Sequence, residues 1–268
     1  MARIGLRNLC LGANRDGMRL DGIDLEIADG EFVGVIGSSG AGKTTLLRVL
    51  AGLEGIDSGQ VWFDDVEVTS VPPARRDVAM VFQQNVLLPH RDVRGNIAFP
   101  LEVRQYHDDE IEVRIRAETR ALQIESLLTR PSGQLSEGER QLVQIARALV
   151  RVPSLLLLDE PLARLDAAQR QWMRRELVLL QEGYGVTALI ATNDPVEAMT
   201  VPSRLIVLES GRIIQTGVPL EIYDSPANLA AAALTGELHI ESVDGRLRGI
   251  RPDGRIHEFD PLTGIRMH

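Results

Sequence analysis

A chain of 268 residues has room for one substantial domain with a sizeable apolar core and a small appendage, whereas two large domains would be cramped. Its 44% apolar and 25% charged residues exclude a chain dominated by disorder, and its formal net charge of −9 speaks against sequence-independent binding to nucleic-acid phosphates. The single cysteine, Cys10, permits no intramolecular disulfide, fits a reducing compartment and is read as structural.

The opening MARIGLRNLC lacks the apolar stretch of a signal peptide, and no later run approaches the ~20 apolar residues of a membrane span. We therefore expect a soluble, cytoplasmic chain whose link to any membrane runs through a partner. Over residues 4–27, short and partly alternating segments interrupted by NRDG and LDG predict strands joined by turns in an edge sheet. FVGVIG, residues 32–37, predicts a buried strand that breaks into SSGAG before a helix over residues 43–53.

Strands are expected next at residues 60–63 and 78–82, followed by a helical, charged stretch over 92–150 with breaks near Tyr106 and Pro131. The α/β rhythm returns with SLLLLD ending at Asp159, a helix over 167–182, the strand VTALIAT, and strands at 204–208 and 212–215. An alanine-rich helix surrounds Ala230. Beyond it, segments 238–243, 246–250 and 255–259 are short, strand-like and separated by DG turns, which predicts a small β appendage.

GSSGAGKT, residues 37–44, satisfies G-x-x-x-x-G-K-[ST] between a predicted strand and a predicted helix, the context that makes this phosphate-binding pattern specific. Gly37, Gly40 and Gly42 let the backbone wrap closely, so that N–H groups from Gly37, Ser38, Ser39, Gly40, Ala41 and Gly42 surround an anion. The helix start, Lys43, Thr44 and Thr45, adds positive charge, with Lys43 placed to bridge the β- and γ-phosphates and the Thr44 hydroxyl to ligate Mg²⁺. A glycine-rich turn capping a helix is the plainer alternative. Of the 29 Lys and Arg residues only Lys43 is lysine, so the one compact ammonium of the chain stands in this loop.

LLLLDE, residues 155–160, puts two carboxylates at the exit of a buried strand, where open α/β sheets bind ligands. Asp159 would support the magnesium, and Glu160 is the candidate general base for an attacking water. Alone, such a strand end followed by an acidic turn is common; the phosphate loop gives it meaning.

QLSEGERQLVQIARAL, residues 134–149, resembles the signature region of ABC ATPases, and MVFQQNVLLPH, NIAFPL, DEPLARLD and ATNDPVEAM fall in that family's order. PPARRDVAMVFQ is similar to the ATPase subunits of sugar and related solute importers. The resemblance covers most of the chain, to about Ala230. It implies an α/β P-loop core with an antiparallel β subdomain and a helical insertion at about residues 84–151. The expected division is an ATP-binding domain over 1–235 and a small β extension over 236–268. It also implies ATP and Mg²⁺ as ligands and a catalytic set of Glu160, Gln83 and Asn193, with Thr44, Gln83 and Asp159 at the metal. Ser136 and Gly138 would contact the γ-phosphate of ATP held by the opposite subunit, and Asp166 would couple the two sites of a head-to-tail dimer, expected to be a homodimer.

The partners so implied are a second nucleotide-binding subunit, two transmembrane permease subunits and, indirectly, an extracellular solute-binding protein, with no nucleic acid. Such a chain would sit peripherally on the inner face of the cell membrane through the permease. Residues 86–90 would lie near the groove that receives a permease helix, with ordinary core packing the alternative for Leu87 and Leu88. Three departures from the family pattern stand out. LSEGE replaces LSGGQ, placing Glu137 and Glu139 where phosphate is to be accepted, unless they turn to solvent or pair with a cation such as Arg140. LGANRDG offers Ala13 and Asn14 but no ring to stack on adenine. Asn193 stands in the position of the switch histidine, with a shorter side chain that donates a hydrogen bond but carries no proton. Two rival readings accompany these departures: a degenerate, binding-only subunit of a heterodimer, and a soluble ABC ATPase outside transport.

Overall fold

The computed structural model describes residues 2–14, 17–84, 86–243 and 246–267. β1 (Ile4–Asn14) and β2 (Gly17–Ile27) form a long antiparallel pair, and β4 (Ser58–Phe63) and β5 (Val66–Glu67) extend it to a sheet of order β2-β1-β4-β5. LDG, read from sequence as a turn, lies inside β2. Gly22 takes φ 62° there, and the strand carries on past this irregularity instead of reversing.

The second sheet contains β3 (Phe32–Ile36), β6 (Val78–Val81), β7 (Leu155–Asp159), β8 (Thr187–Ala191), β9 (Arg204–Glu209) and β10 (Arg212–Gly217). Its order is β10-β9-β3-β8-β7-β6, parallel except for the antiparallel edge strand β10. The apolar run of β7 has a simple cause, because both faces are covered. Leu156 and Leu158 enter the core shared with the helical region, while Leu155 and Leu157 enter the core shared with β1, β2 and α1 (Lys43–Leu50).

α1 ends at Leu50, three residues before the end expected from periodicity. Gly52 turns the chain at φ 73°, and the buried Arg76 guanidinium donates to the terminal carbonyls of Val49 at 2.8 Å and Leu50 at 3.1 Å. A side chain at Gly52 would meet Arg76 Nε at 2.6 Å, so the glycine and the arginine cap this helix together.

The helical region holds α2 (Val93–Val103), α3 (Asp108–Ala121) and α4 (Glu137–Leu149). The breaks near Tyr106 and Pro131 are present, and a further break follows Ala121, where Gln123 adopts φ 54° and short 3₁₀ turns carry the chain to Gln134. α5 (Ala167–Tyr184) returns the chain to the core. Two short helices not anticipated from sequence, α6 (Pro195–Thr200) and α7 (Pro219–Asp224), each begin with proline, which tolerates the first helical position because no N–H is needed there.

α8 (Leu229–Leu234) precedes a three-stranded antiparallel sheet of β11 (His239–Val243), β12 (Arg246–Ile250) and β13 (Ile256–Phe259). Of its two DG turns, Asp244–Gly245 lies outside the described residues, while Gly254 takes φ 84°. Arg251, 2% exposed, fastens the sheet by lying 3.8 Å from the Tyr223 ring centroid and donating to Thr235 Oγ1 at 2.9 Å. Among the described residues no helix is long and apolar enough to cross a membrane.

Candidate functional site

The loop from Gly37 to Gly42 leaves the end of β3 and starts α1 under tight steric control. A Cβ on Gly37 would stand 2.3 Å from the Leu208 carbonyl oxygen, and Gly42, the N-cap of α1, holds φ 107° with the Arg19 carbonyl oxygen 2.6 Å from a hypothetical Cβ. Gly40 also sits at positive φ, 81°. Glycine is therefore needed at all three positions expected from the motif, for contact at Gly37 and for conformation at Gly40 and Gly42. Ala41 is buried and its N–H donates to Ser38 O at 3.1 Å, closing the loop on itself.

Lys43 lies inside this loop, its ammonium donating to Gly37 O at 2.7 Å and Ser38 O at 3.0 Å. Burial pulls its pKa down, against the opposing pull of Glu160 and Asp159. The Thr44 hydroxyl donates to Asp159 Oδ1 at 3.0 Å, joining the start of α1 to the end of β7. Asp159 is pushed above the usual carboxylate range, first by burial and also by the neighbouring Glu160 charge, while the Thr44 hydroxyl opposes the shift. A hydroxyl and a carboxylate this close form a hard-oxygen pair of the kind Mg²⁺ takes.

Glu160 is held in left-handed backbone at φ 47°, fixed by its N–H donating to Ala191 O at 2.9 Å. Such strain in a non-glycine residue marks a position whose side-chain direction matters. The Gln83 amide donates to Glu160 Oε2 at 2.8 Å, and the Asn193 amide donates to the other oxygen. The three residues come from beyond the ends of β6, β7 and β8, the carboxyl edge of the parallel strands. Asn193 was expected to be short for its position; here its amide reaches Glu160 directly.

A cleft of about 340 Å³ opens between these groups, lined by Ser39, Gly40, Gly42, Lys43, Thr44 and Thr45 on one side and Gln83, Glu160 and Asn193 on the other. Arg19 of β2 also lines it, a residue the sequence reading missed. Its guanidinium is held by Glu54 at 2.5 Å and reaches Thr45 Oγ1 at 3.5 Å. No local motif marks Arg19, because its place depends on the packing of the antiparallel sheet against α1. The side chains of Ala13 and Asn14, the ring-less segment singled out in the sequence, lie outside the described residues.

Ser136, Gly138 and Asp166 do not line this cleft. Ser136 is the N-cap of α4 in a complete capping box, its hydroxyl accepting from Glu139 N at 3.3 Å while the Glu139 carboxylate accepts from Ser136 N at 2.7 Å. Asp166 caps α5 in the same way with Gln169, accepting from its N–H at 2.8 Å. Gln169 Oε1 would stand 3.0 Å from a Cβ on Gly138, so glycine lets the two helix starts approach.

The acidic residues of LSEGE are partnered, but not by Arg140, which donates to Gly133 O. Glu139 pairs with Arg130 at 3.2 Å, and its carboxyl is held below the usual range chiefly by the Ser136 backbone N–H. Glu137 pairs with Arg164 at 2.8 Å. Arg164 lies four residues beyond Glu160, on the turn after β7, and sequence spacing gave no sign of its reach to Glu137.

The ABC transporter family profile matches residues 20–163. The sn-glycerol-3-phosphate import ATP-binding protein UgpC of Brucella abortus is 49% identical over 217 residues, which make up 81% of this chain but only 62% of that protein's length. The protein of the same description from Ralstonia nicotianae is 46% identical over 269 residues, covering 98% of this chain and 73% of that protein. Among solved structures, the ATP-binding cassette MJ0796, a dimer in a post-hydrolysis state bound to ADP and Pi, aligns with a TM-score of 0.73 at 28% identity over 80% of this chain and 98% of that one.

Proposed function

The chain belongs to the ABC transporter family, and on that premise we propose that it is an importer's ATP-binding subunit, which binds and hydrolyses MgATP to drive partner permease subunits. One observation carries the reading: Lys43, Thr44 with the buried Asp159 bonded behind it, and the Gln83–Glu160–Asn193 cluster meet at one cleft beside a helix start that has no side-chain cap. The helix start and loop N–H groups receive the phosphates. Lys43 exchanges its two loop carbonyls for phosphate oxygens.

Thr44 and Asp159, with Gln83 beside them, are the residues that would hold Mg²⁺, which supplies charge neutralisation at the β- and γ-phosphates. Glu160 accepts the proton of the attacking water, and the Gln83 and Asn193 amides aim its carboxylate. Both oxygens of Glu160 being engaged by amides from separate strand ends supports hydrolysis over the binding-only alternative.

Ser136 and Gly138, which do not line the chain's own cleft, complete the cleft of a second copy in a head-to-tail homodimer, with Asp166 at the seam. The relatives are named for import of sn-glycerol-3-phosphate. For this chain the proposal is solute uptake, the solute being chosen by the permease and an extracellular binding protein. The chain then sits on the cytoplasmic face through two permease subunits. Val86, 55% exposed, offers apolar surface for a permease helix, whereas Leu87 packs against the core of the helical region. Residues 236–268 are read as a separate small extension of the ATP-binding domain.

The test is equilibrium titration of ATP with Mg²⁺ against wild type and Lys43→Ala. Loss of the charged phosphate contacts is expected to weaken binding about 100-fold. Equal affinities would remove the ATP site from this cleft.

A further inference from the structure

Arg164 lies outside the cleft, yet its guanidinium touches two segments on which the proposed cycle depends. Nη1 donates to Glu137 Oε1 at 2.8 Å, at the first position of α4, and Nε donates to the Gln83 carbonyl at 3.4 Å. The pair is largely open to solvent, with side-chain exposures of 36% for Arg164 and 64% for Glu137. An ion pair so exposed adds little to the stability of the isolated chain. Its weight changes once water is excluded, because an uncompensated carboxylate at a helix start opposes an incoming phosphate far more strongly at low dielectric.

We propose that Arg164 is a positioning residue that neutralises Glu137 and draws it aside, so that the start of α4 can receive the terminal phosphate of ATP bound by a second copy. This rests on the head-to-tail reading above. The planar guanidinium suits such a role, because it fixes the direction of the carboxylate as well as its charge and keeps an N–H for the backbone of Gln83. Through that carbonyl, the segment that accepts the partner's phosphate is tied to the segment whose side chain aims Glu160. The acidic departure from LSGGQ and the arginine in DEPLARLD then form one compensated unit.

The test is a double-mutant cycle on the full chain, comparing wild type, Arg164→Ala, Glu137→Gly and the double variant, with Arg164→Lys as the charge-conserving control. Dimerisation driven by the non-hydrolysable analogue adenylyl-imidodiphosphate is followed by analytical ultracentrifugation, after each protein has been shown to bind fluorescent ATP and to melt cooperatively. Arg164→Ala should raise the analogue concentration needed for dimerisation about tenfold. The same substitution in the Glu137→Gly background should leave it almost unchanged, and Arg164→Lys, which keeps the charge but not the planar fork, should fall between wild type and Arg164→Ala. Equal losses in both backgrounds, no loss on Arg164→Ala, or a wild type that binds ATP without ever dimerising would overturn the proposal. Failure of the wild type to bind fluorescent ATP would instead sink the nucleotide-site reading beneath it.

Discussion

The helices α1 and α4 both begin at motifs read as phosphate contacts, and their starts are finished in opposite ways. Gly42 caps α1 without any side-chain hydrogen bond, whereas Ser136 and Glu139 close a full capping box at α4. A glycine at the N-cap costs only a few tenths of a kcal/mol, on the order of 0.3, relative to a capping side chain, so the start of α1 keeps its donors open at little expense in stability. α4 is satisfied within the chain, and its neighbouring charges are paired by Arg130 and Arg164. One end leaves its donors open to a ligand; the other is satisfied by its own side chains while it waits for one.

If that contrast is right, damage at the cleft and recruitment through α4 can be separated. Glu160→Gln should lower the hydrolysis rate by roughly 10²–10⁴, the usual contribution of a positioned base, while leaving ATP binding intact. The variant should then accumulate as an ATP-dependent dimer, because the start of α4 has not been touched. Phosphate release together with light scattering after gel filtration checks both halves. A strictly monomeric profile at high protein and ATP concentrations would break the comparison at α4.

Asn193→Ala probes the cleft end more gently. It removes one of the two amides that hold Glu160 and leaves Gln83 in place. The turnover number should fall about 10-fold to 100-fold, short of the loss of a full oxyanion-type donor, with KM and ATP-driven dimerisation nearly unchanged. A matching rise in KM would mean that Asn193 binds nucleotide instead of aiming the base.

The α1 end was far more legible in the sequence than the α4 end. Gly37, Gly42, Lys43 and Thr44 act within one local loop, and Asp159–Glu160 close a buried strand, so spacing and periodicity were enough to bring them together. The partners of Glu137 and Glu139 depend on how α4 packs against the turn after β7, which no local pattern encodes; Arg140 was the nearest basic residue in sequence and the wrong one in space. Arg19 was hidden for the same reason. In the fold, strands with unbroken apolar runs were plain, whereas the end of α1 depended on Arg76 arriving from 24 positions beyond Gly52, and the prolines that open α6 and α7 were signals left unread.

The seam between the two regions offers the smallest and last test. Glu118 of α3 is buried against the end of α5, where the Tyr184 hydroxyl donates to one carboxyl oxygen and the other has no hydrogen-bond partner among the described residues. Burial pushes its pKa from 4.5 up to about 7; the Tyr184 bond and the Arg114 charge oppose this without overcoming it. The folded chain thus holds this proton more tightly than the unfolded one. The resulting stability is fully present below about pH 4.5 and is lost as the pH rises through about 7. Unfolding free energy from urea titration should therefore fall by roughly 2–3 kcal/mol between about pH 5 and pH 8 through this group alone. Glu197 and Asp159 are also raised by burial and add to the same slope, so Glu118→Gln must be compared with wild type at both pH values. The variant should lose Glu118's share of the decline. Tyr184→Phe should keep the decline, since it removes a bond that favours the ionised form. Identical slopes for wild type and Glu118→Gln would show that the carboxyl at this seam is already ionised in the folded chain, and that α3 and α5 meet across a charge instead of a proton.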